Sequence, residues 1–590
     1  NSMTGPLQGE VMAQARDENT EKSVFVLKHE DCMQYSKKYR EFMEKYPKVK
    51  DHIEALFMQN RSIGRHAGGV IIGPPDDLAR GMPIIGVRGE LQTPWTEGMN
   101  FRNLEDNGFI KFDFLGLTLL KDVENCIRRI LTRQNDKEPT FLEIRDWFDE
   151  HVNCRYVEQN DPEVWKHVYH QRRKVGVFQF TAEGARRFCE DAKPTAIIEL
   201  AALTAIYRPG PLRANVHLKY VKDKARADEI VYAHPIIKEI LGPTFGHVTF
   251  QEQFMLLAQK LGGFTPAESD KLRKTLVKKS LDTMGKKGGE REAARQKFVK
   301  GAKEINGVPE HVSQELWERI EFFSVYGFNK SHAVAYAIGS YYAAWLHTYY
   351  ETDWLSTILE SENNNPKNLS KAISEIKAMG YEISTHDVNE SGLSWNYSER
   401  KKAFIPPLNS IKGLGKNAVQ EIMKNRPYES LDQMLYNEDG KWYHSKLNKT
   451  GFAALCKVEA LDALEEMWQS EIKNHRQLHE IIIENYDILK KSRFGMTLRQ
   501  AKKKEADPIL PQLIESTTGT EDWTRVEKLQ MYQDMCSATR DDLAFPDDLM
   551  EKIKSSNVKS VLKFEPRESG IGWFCVVEWI KKTTKNKKVV

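Results

Sequence analysis

The stretch of sequence that decides the fold reads FIKFDFLGL and runs from Phe109 to Leu117. With the two-residue period of a β-strand, one face of this stretch carries Phe109, Lys111 and Asp113. The other face is apolar and comprises Ile110, Phe112 and Phe114. A carboxylate and an ammonium group on an otherwise apolar strand are costly to bury unless something binds there. The pattern predicts either a site where a divalent metal ion and a phosphate satisfy both charges, or a plain strand that ends in a solvated Asp.

The composition is that of an ordinary globular protein with several domains. With 590 residues, the chain is long enough for roughly three to five domains. Its net charge is only +3, but residues 271–303 hold twelve Lys or Arg against three acids. Seven Cys occur without a C-x-x-C pair, so neither a zinc ribbon nor a disulfide framework is expected, and a reducing, cytoplasmic compartment fits best. No apolar run reaches the length of a membrane span, so we expect no membrane partner.

Local patterns predict a mostly helical chain with a few strands. Residues 20–60 are polar and helix-prone, with a break at Pro47, and helical periodicity dominates from about 160 to 350. A helix is predicted from Pro366 to about 381, capped by Asn365. The stretch 573–582 is rich in aromatic and β-branched residues and predicts a strand.

Two short motifs hold an Arg beside a stiff or Gly-rich turn. IGRHAGGVIIG, residues 63–73, places Arg65 and His66 before a Gly pair that lets backbone amides approach a ligand closely. YRPGPL, residues 207–212, holds Arg208 ahead of a Pro-Gly-Pro corner, where its guanidinium can face a phosphate. The alternatives are an ordinary hairpin turn for the first and a plain turn with a surface Arg for the second.

A basic run and a helix start are further candidate anion sites. In LRKTLVKKS, helical spacing predicts a positive stripe that comprises Arg273, Lys274, Lys278 and Lys279. A solvated helix face is the usual explanation of such a run. In YGFNKSHAVAYA, the side chains of Asn329, Lys330 and His332 stand at the start of an apolar helix, where an anion site or an ordinary Asn cap would explain them.

The segment IKGLGKNAVQEI, residues 411–422, is typical of a hairpin that reads a DNA backbone. It joins a Gly-x-Gly turn, Gly413 and Gly415, flanked by Lys412 and Lys416, to a following helix whose amides can bind one phosphate. This module resembles a helix–hairpin–helix. Residues 445–464 resemble a degenerate second copy, whose turn reads Val458-Glu459-Ala460 and is a weaker phosphate contact.

Seven motifs together resemble the C-family bacterial replicative DNA polymerases, the alpha subunits of DNA polymerase III. The motifs occur in the order and approximate spacing of that family, and the helix–hairpin–helix region follows them as it does there, so that the resemblance covers roughly residues 60–465. They are RHAGG, FIKFDFLGL, GVFQFTAEGARR, ALTAIYRPGPL, FGHVTFQEQFM, LRKTLVKK and YGFNKSHAVAYA.

The resemblance implies an α+β multidomain fold that is mostly helical, with a partial nucleotidyltransferase-like palm. The implied domains are a partial palm with a thumb-like helical insertion at 1–160, fingers at 161–365, tandem helix–hairpin–helix motifs at 366–465, a helical connector at 466–560 and the first strands of an OB-like domain at 561–590.

The resemblance also implies a two-metal mechanism of DNA synthesis from dNTPs. Asp113 resembles a palm carboxylate that binds catalytic Mg²⁺, and Lys111 would neutralise charge beside it. The implied contacts to the dNTP triphosphate and the template backbone are Arg208, Arg273, Lys274, Lys278 and Lys279, with Asn329, Lys330 and His332 near the same pocket. Arg65 and His66 are further candidates for binding nucleotide or phosphate. The implied contacts of the hairpin to DNA are Lys412, Gly413, Gly415 and Lys416.

The chain departs from the family at the metal site. The family's palm carries two further aspartates in an Asp-x-Asp motif, and this sequence contains no Asp-x-Asp. We therefore expect two Mg²⁺ ions to be completed by a complementary N-terminal polymerase polypeptide, as in a split gene, an intein product or a divided phage enzyme, and the chain alone to be inactive. A sliding clamp is a further candidate partner, although no Gln-rich clamp-binding peptide follows the hairpins. The resemblance implies a place in the cytoplasm, in a bacterial nucleoid or an infected bacterial cell. The alternatives are a non-catalytic DNA-binding scaffold, and a repair nuclease, for which the sequence lacks a second cluster of carboxylates or His.

Overall fold

A computed structural model describes the fold of most of the chain. The residues it describes are 29–56, 66, 68–73, 78–87, 89–93, 108–114, 116–171, 173–277, 287–324, 327–464, 472–536, 540, 543, 547–556, 559–560 and 572–573. Within them the protein is mostly helical with a few short strands, as the sequence predicts. The chain divides into two compact units, residues 1–117 and residues 118–590.

The first unit combines short helices with short strands. Its helices are α1 (His29–Tyr35), α2 (Lys37–Lys45), α3 (Val49–Leu56) and α4 (Leu78–Gly81). Its strands are β1 (Gly69–Ile72), β2 (Ile85–Val87), β3 (Glu90–Gln92) and β4 (Ile110–Asp113). The predicted helices of residues 20–60 are confirmed over the described part, and Pro47 separates α2 from α3.

Strand β4 pairs with β1, and its charged face is partly buried at Lys111 and exposed at Asp113. The ladder is antiparallel, with Gly69 opposite Asp113 and Ile71 opposite Lys111. The predicted alternation of side chains is confirmed, but the strand ends at Asp113, and the apolar face is the exposed one. Phe109 is 2% exposed because it packs in a small cluster with Met82, which places Lys111 on the same, partly buried side.

The second unit holds most of the helices. They are α5 (Thr118–Asn135), α6 (Phe141–His151), α7 (Pro162–Val164), α8 (Glu183–Ala192), α9 (Ile197–Ile206), α10 (Pro209–Arg213), α11 (Val216–Lys224), α12 (Pro235–Leu241), α13 (Gln251–Lys260), α14 (Pro266–Val277), α15 (Lys287–Asn306), α16 (Glu310–Ser324), α17 (Lys330–Tyr349), α18 (Glu351–Ser361), α19 (Pro366–Ala378), α20 (Lys416–Asn425), α21 (Leu431–Leu435), α22 (Lys449–Lys457), α23 (His475–Glu484), α24 (Tyr486–Leu489), α25 (Leu498–Lys504), α26 (Leu510–Ser516), α27 (Arg525–Cys536) and α28 (Asp547–Ser555). A π-helical turn follows α7 at Trp165–Tyr169, and 3-10 turns lie at Ala227–Glu229, Gly242–Thr244 and Leu408–Ser410.

Short strands complete the second unit. Strands β5 (Glu382–Ile383), β6 (Asn396–Ser398) and β7 (Ala403–Ile405) form one sheet in the order β5-β7-β6. Strands β8 (Lys559–Ser560) and β9 (Gly572–Trp573) pair in parallel. Residues 574–582 of the predicted C-terminal strand lie outside the described residues, so the OB-like domain stays a prediction.

Helix α17 is the central element of the predicted fingers. It is apolar on nearly all sides, as expected of a buried helix, and it packs against α9. The shared core includes Leu200 and Leu203 of α9 with Ala333, Ala337 and Tyr341 of α17. This packing fixes where the exposed N-terminus of α17 lies, and the candidate site forms there.

Two further cores join segments that are far apart in sequence. In one, Ile127 and Ile130 of α5 pack with Trp354 and Leu355 of α18 and with Phe404 of β7. Segments from the predicted palm, fingers and hairpin region thus share a core.

In the other core, helices of the predicted connector pack with the predicted hairpin region, where Val419 of α20 and Leu455 of α22 lie with Ile481 of α23 and Leu489 of α24. The predicted start of α19 is confirmed, because Asn365 accepts a hydrogen bond from the Asn368 amide and Pro366 takes the first helical position. None of the described helices combines the length and apolarity needed to cross a bilayer.

Candidate functional site

Three polar side chains meet at the end of strand β4, in the first unit. Lys111 Nζ lies 3.1 Å from Asp113 Oδ1, and His66 Nε2 lies 3.6 Å from the same oxygen. The other ring nitrogen of His66 accepts a hydrogen bond from the Gly68 amide at 3.2 Å. Gly69 permits this approach, because a Cβ there would lie 2.8 Å from His66 Nδ1. The Asp113 side chain stays 46% exposed, so it can reach a ligand.

These residues fit one arm of a Mg²⁺ site but do not complete it. Mg²⁺ requires six oxygen ligands in near-octahedral geometry, and Lys111 can supply none. Within the described part of the chain, Asp113 does not belong to any cluster of three or more metal-ligating side chains. One carboxylate with an ammonium group beside it therefore needs further oxygen ligands before it can hold a catalytic ion.

In the second unit, two of the sequence motifs are joined at the N-terminus of α17. Phe250 and Phe328 form an isolated parallel bridge, with hydrogen bonds from the Gln251 amide to the Phe328 carbonyl and from the Phe328 amide to the Thr249 carbonyl. The Glu252 carboxylate accepts hydrogen bonds from the Asn329 side chain at 3.0 Å and from the Lys330 amide at 2.8 Å. We call this meeting point, residues 249–252 and 327–332, the finger junction.

Arg208 lies against the finger junction through the Phe328 ring. Its guanidinium carbon is 4.5 Å from the centre of the ring, and its Nε donates to the Ala205 carbonyl at 2.8 Å. Burial lowers the pKa of Arg208 below its ordinary value, although the group stays charged at neutral pH. The centre of the His332 ring lies 5.4 Å from that of Phe328 and 4.1 Å from that of Tyr336. The structure therefore brings together Arg208 and His332, which the sequence analysis treats as parts of separate motifs.

Asn329 is an ordinary helix cap as well as a candidate contact. Its side-chain oxygen accepts hydrogen bonds from the His332 amide at 2.9 Å and from the Ser331 hydroxyl at 2.8 Å. The Lys330 side chain is exposed at the first helical position. The cap thus satisfies the first amides of α17 while its polar first residues stay exposed to solvent.

Arg273 reaches the finger junction, and both Arg273 and Lys274 are paired with an acid. The Arg273 guanidinium lies 2.9 Å from Asp270 and 3.5 Å from the side-chain oxygen of Gln251, and Lys274 Nζ lies 2.8 Å from Asp270. Lys274 and Arg273 hold the pKa of the Asp270 carboxyl below its ordinary value. The predicted positive stripe is therefore partly neutralised at this end.

A surface cavity of about 340 Å³ lies at the predicted DNA hairpin. It is lined by the starts of two helices, with Gly415 and Lys416 at α20 and Lys446 and Asn448 at α22. Gly413 has a φ of +99°, and within the described residues neither its amide nor that of Gly415 donates a hydrogen bond. Free amides and two Lys side chains facing one cavity make a natural site for an anion. Lys412 is exposed beside it and is anchored by its amide on the Met535 carbonyl at 3.0 Å.

The second side of this cavity is held in place by Glu421 of α20. Its two carboxylate oxygens accept hydrogen bonds from the amides of Ser445, Lys446 and Leu447 at 2.7 to 3.0 Å, and from the Ser445 hydroxyl at 2.9 Å. Burial alone would raise the pKa of Glu421, but these donors outweigh it and hold the pKa at about 2. The two helix starts are thus joined by an ionised carboxylate.

The turn of the second hairpin copy points inward. Glu459 is buried with a φ of +62°, and its carboxylate pairs with Arg540 and, at 3.2 Å, with Lys528. Because both cations belong to the packed C-terminal region, this turn serves packing and not a surface phosphate.

The remaining predicted site residues, Arg65, Lys278 and Lys279, lie outside the described residues. Sequence reasoning missed several residues that the structure brings to the sites: Gln251, Glu252, Asp270, Phe328, Glu421 and Lys446. Asp270 had a visible signal, because it stands three and four residues before the two cations it pairs with. The others depend on contacts between distant segments.

Three family profiles match this chain. "Bacterial DNA polymerase III alpha NTPase domain" matches residues 9–116, and "Bacterial DNA polymerase III alpha subunit finger domain" matches residues 125–306. "Helix-hairpin-helix motif" matches residues 380–470, which include the cavity.

Curated relatives give the same result. A protein of Aquifex aeolicus named DNA polymerase III subunit alpha is 32% identical over 430 residues, which cover 72% of this chain and 34% of the relative. Proteins of the same name from Borreliella burgdorferi and Campylobacter jejuni are 32% and 30% identical over 435 and 433 residues, with the same coverage. The chain thus spans about a third of the length of the curated relatives it matches.

Proposed function

Because the chain belongs to the family of bacterial DNA polymerase III alpha subunits, we propose that it takes part in template-directed DNA synthesis. The reaction is transfer of a nucleotidyl group from a dNTP to a primer 3′-hydroxyl. The observation that carries the proposal is the finger junction, where Arg208, Arg273 and Lys330 come together at one partly open surface. Such a group of cations suits a triphosphate, which carries several negative charges on adjacent groups.

In this proposal, the triphosphate replaces Asp270 as the partner of Arg273 and Lys274. Arg273 and Lys274 are held by Asp270 in a partly exposed arrangement, and pairs of this kind contribute little to stability. A phosphate oxygen offers both cations a charge-assisted hydrogen bond in exchange for the carboxylate. Arg208 is held rigidly by its backbone contact and by Phe328, so it supplies a fixed charge beside them. Lys278 and Lys279 follow on the same basic run and extend the proposed contact to the template backbone.

Asp113 is the proposed palm carboxylate of this chain. When bound, two Mg²⁺ ions would lower the pKa of the attacking hydroxyl and stabilise the charge on the reacting phosphate. Lys111 and His66 hold the Asp113 side chain at the end of strand β4, and Lys111 places a positive charge beside the reacting groups. Because this sequence lacks an Asp-x-Asp motif, the missing oxygen ligands come from carboxylates outside residues 1–590. We propose that a complementary palm polypeptide supplies them.

The hairpin cavity is the proposed grip on the DNA backbone. Its amides and two Lys side chains can bind phosphate without reading the bases. This contact is independent of sequence, which suits a polymerase that moves along its template. The chain would act on DNA in the bacterial cytoplasm.

The first experiment is primer extension with Mg²⁺ and dNTPs, with and without a polypeptide that carries the Asp-x-Asp palm strand. We expect extension only in the mixture. Extension by this chain alone would contradict the need for outside carboxylates. Absence of extension in both samples, with DNA still retained in a gel shift, would contradict the polymerase proposal and favour a non-catalytic DNA-binding scaffold.

The second experiment tests Asp113 within the active mixture. Asp113→Asn keeps the size of the side chain and removes its charge, so we expect loss of turnover with DNA affinity nearly unchanged. Asp146→Asn, which alters an exposed carboxylate paired with Arg145, is the matched control and should keep full activity. Equal loss of turnover and DNA affinity in the Asp113 variant would contradict its proposed role at the metal.

A further inference from the structure

A second group of potential metal ligands lies inside the second unit, apart from the finger junction. His347 stands in the last turn of α17 and Glu351 begins α18, four residues later. His167 comes from the π-helical turn Trp165–Tyr169. Glu351 Oε1 lies 3.5 Å from His347 Nδ1 and 3.5 Å from His167 Nε2, and all three ligand atoms lie within 4.8 Å of one another. These separations are close to those between ligands around one small metal ion, whose bonds are about 2.0–2.2 Å long.

His347 gives the strongest sign that a ligand belongs here. The residue is 0% exposed, and neither ring nitrogen makes a hydrogen bond to any described residue. A buried polar group without a partner costs about 1–3 kcal/mol, and such groups in native proteins often indicate an ion or water.

The contacts around Glu351 orient it toward the two imidazoles. Its Oε2 accepts a hydrogen bond from the Tyr381 hydroxyl at 2.6 Å, which leaves Oε1 directed at His167 and His347. Hydrogen bonds of this kind fix metal-ligating carboxylates in known sites. Glu351 also lines an open cavity of about 840 Å³.

Arg173 occupies the place that a cation would take. Its Nη1 lies 2.9 Å from Glu351 Oε1 and 3.3 Å from His167 Nε2. The Arg173 side chain is 32% exposed, so it can turn outward without unfolding the core. An ion that enters the cluster must displace this guanidinium.

We propose that His167, His347 and Glu351 form a site for a divalent transition metal ion, with Arg173 as its built-in competitor. Two imidazoles and one carboxylate are a ligand set typical of Zn²⁺. The bound ion would join the end of α17, the start of α18 and the π-helical turn. This inference is independent of the proposed polymerase reaction, because its test reads metal binding and not DNA synthesis.

The experiment titrates the metal-free full chain with Co²⁺ and follows the visible absorption that marks four-coordinate Co²⁺. Zn²⁺ is then added to displace it. We expect one tight Co²⁺ per chain with a four-coordinate spectrum, and loss of that spectrum on addition of Zn²⁺. A six-coordinate spectrum, or no saturable binding, would overturn the proposal.

Two variants test which residues bind the ion, because one should weaken Co²⁺ binding and the other should tighten it. Glu351→Gln changes a proposed ligand, so it should weaken Co²⁺ binding by more than the about tenfold to hundredfold that is lost when a hydrogen-bond partner of a ligand is mutated. Arg173→Met should instead tighten binding, by about tenfold, because it removes the competing charge, and a variant that merely damaged the fold would not gain affinity. His311→Ala, at an exposed position, is the matched control and should bind as the parent does.

A second cluster serves as an internal check. Glu459, Asp462 and His475 are also close enough to hold an ion, but Glu459 is already paired with two cations. Loss of the Co²⁺ spectrum in Asp462→Asn, or an unchanged affinity in Arg173→Met, would overturn the assignment to His167, His347 and Glu351.

Discussion

Replacing Glu421 by Gln should loosen one side of the hairpin cavity without changing its shape. Four hydrogen bonds converge on the Glu421 carboxylate from Ser445, Lys446 and Leu447. Gln offers one accepting oxygen and turns an NH₂ group toward the remaining donors, so some of those donors lose their acceptor. The change therefore acts on the loop that carries Lys446 into the cavity.

The size of the effect follows from the pKa of Glu421. The fall from the ordinary value of 4.5 to about 2 corresponds to about 3 kcal/mol, at 1.36 kcal/mol for each pKa unit. Because the site borders solvent, we reduce this to about 2 kcal/mol. Hydrogen exchange at the amides of Ser445, Lys446 and Leu447 should then become about thirtyfold faster in Glu421→Gln at neutral pH. Local exchange is the appropriate measurement because a chain with several cores is not expected to unfold in one step.

The stabilisation that Glu421 supplies should weaken as the pH falls. The folded-state pKa of Glu421 is lower than its ordinary value, so its stabilisation is complete above about pH 4.5 and is lost as the pH falls toward 2. The difference in stability between the parent and Glu421→Gln should shrink over that window. Glu429→Gln, at an exposed position of the same region, is the control. Equal exchange rates in the parent and Glu421→Gln, or a difference that does not change with pH, would refute this reasoning.

Three further outcomes are expected. Lys416→Ala and Lys446→Ala should each weaken DNA binding, measured by fluorescence anisotropy, and each should reduce the slope of log affinity against log salt concentration by about one. An unchanged slope in either variant would show that its Lys does not make the proposed phosphate contact. Gly413→Ala should destabilise the hairpin by about 1–2 kcal/mol, because the φ of Gly413 is +99° and a Cβ there would lie 3.2 Å from Thr450 Cγ2. The control Gly519→Ala, at a φ of +91° with open space around it, should lose less stability in urea unfolding, and equal losses in the two variants would argue against the contact with Thr450. Arg208→Lys keeps the charge but loses the planar packing on Phe328, so the KM for dNTP in the reconstituted reaction should rise about tenfold. An unchanged KM would contradict the proposal that Arg208 binds the triphosphate.

The sequence predicts features that depend on neighbouring residues better than it predicts which faces are buried and which distant segments pack together. The cap at Asn365 and the start of α19 at Pro366 are correct, because they depend on residues within one helical turn. The alternation in strand β4 is also correct, but a period of two does not say which face is buried, and the structure exposes the side that carries Ile110 and Phe112.

The candidate sites show the same limit. Residues 411–422 predict a hairpin with a phosphate-binding turn, and the structure adds the partner segment that carries Lys446, which no pattern near Gly413 indicates. Likewise, the meeting of Phe250 with Phe328 depends on packing between segments that are far apart in sequence. Spacing along a helix could have found the pairing of Asp270 with Arg273, because those residues lie one turn apart.

The pairing of Asp270 with Arg273 and Lys274 has a thermodynamic consequence for the two basic surfaces. Beside the finger junction, the counter-ion of two cations is a carboxylate fixed to the protein, so a triphosphate that binds as proposed would displace that group and release few salt ions. A DNA phosphate that binds at the hairpin cavity as proposed would release the mobile ions that had condensed on the DNA. The same protein should therefore hold its DNA by a contact that concentrated salt weakens steeply, and its nucleotide by one that salt weakens only slightly.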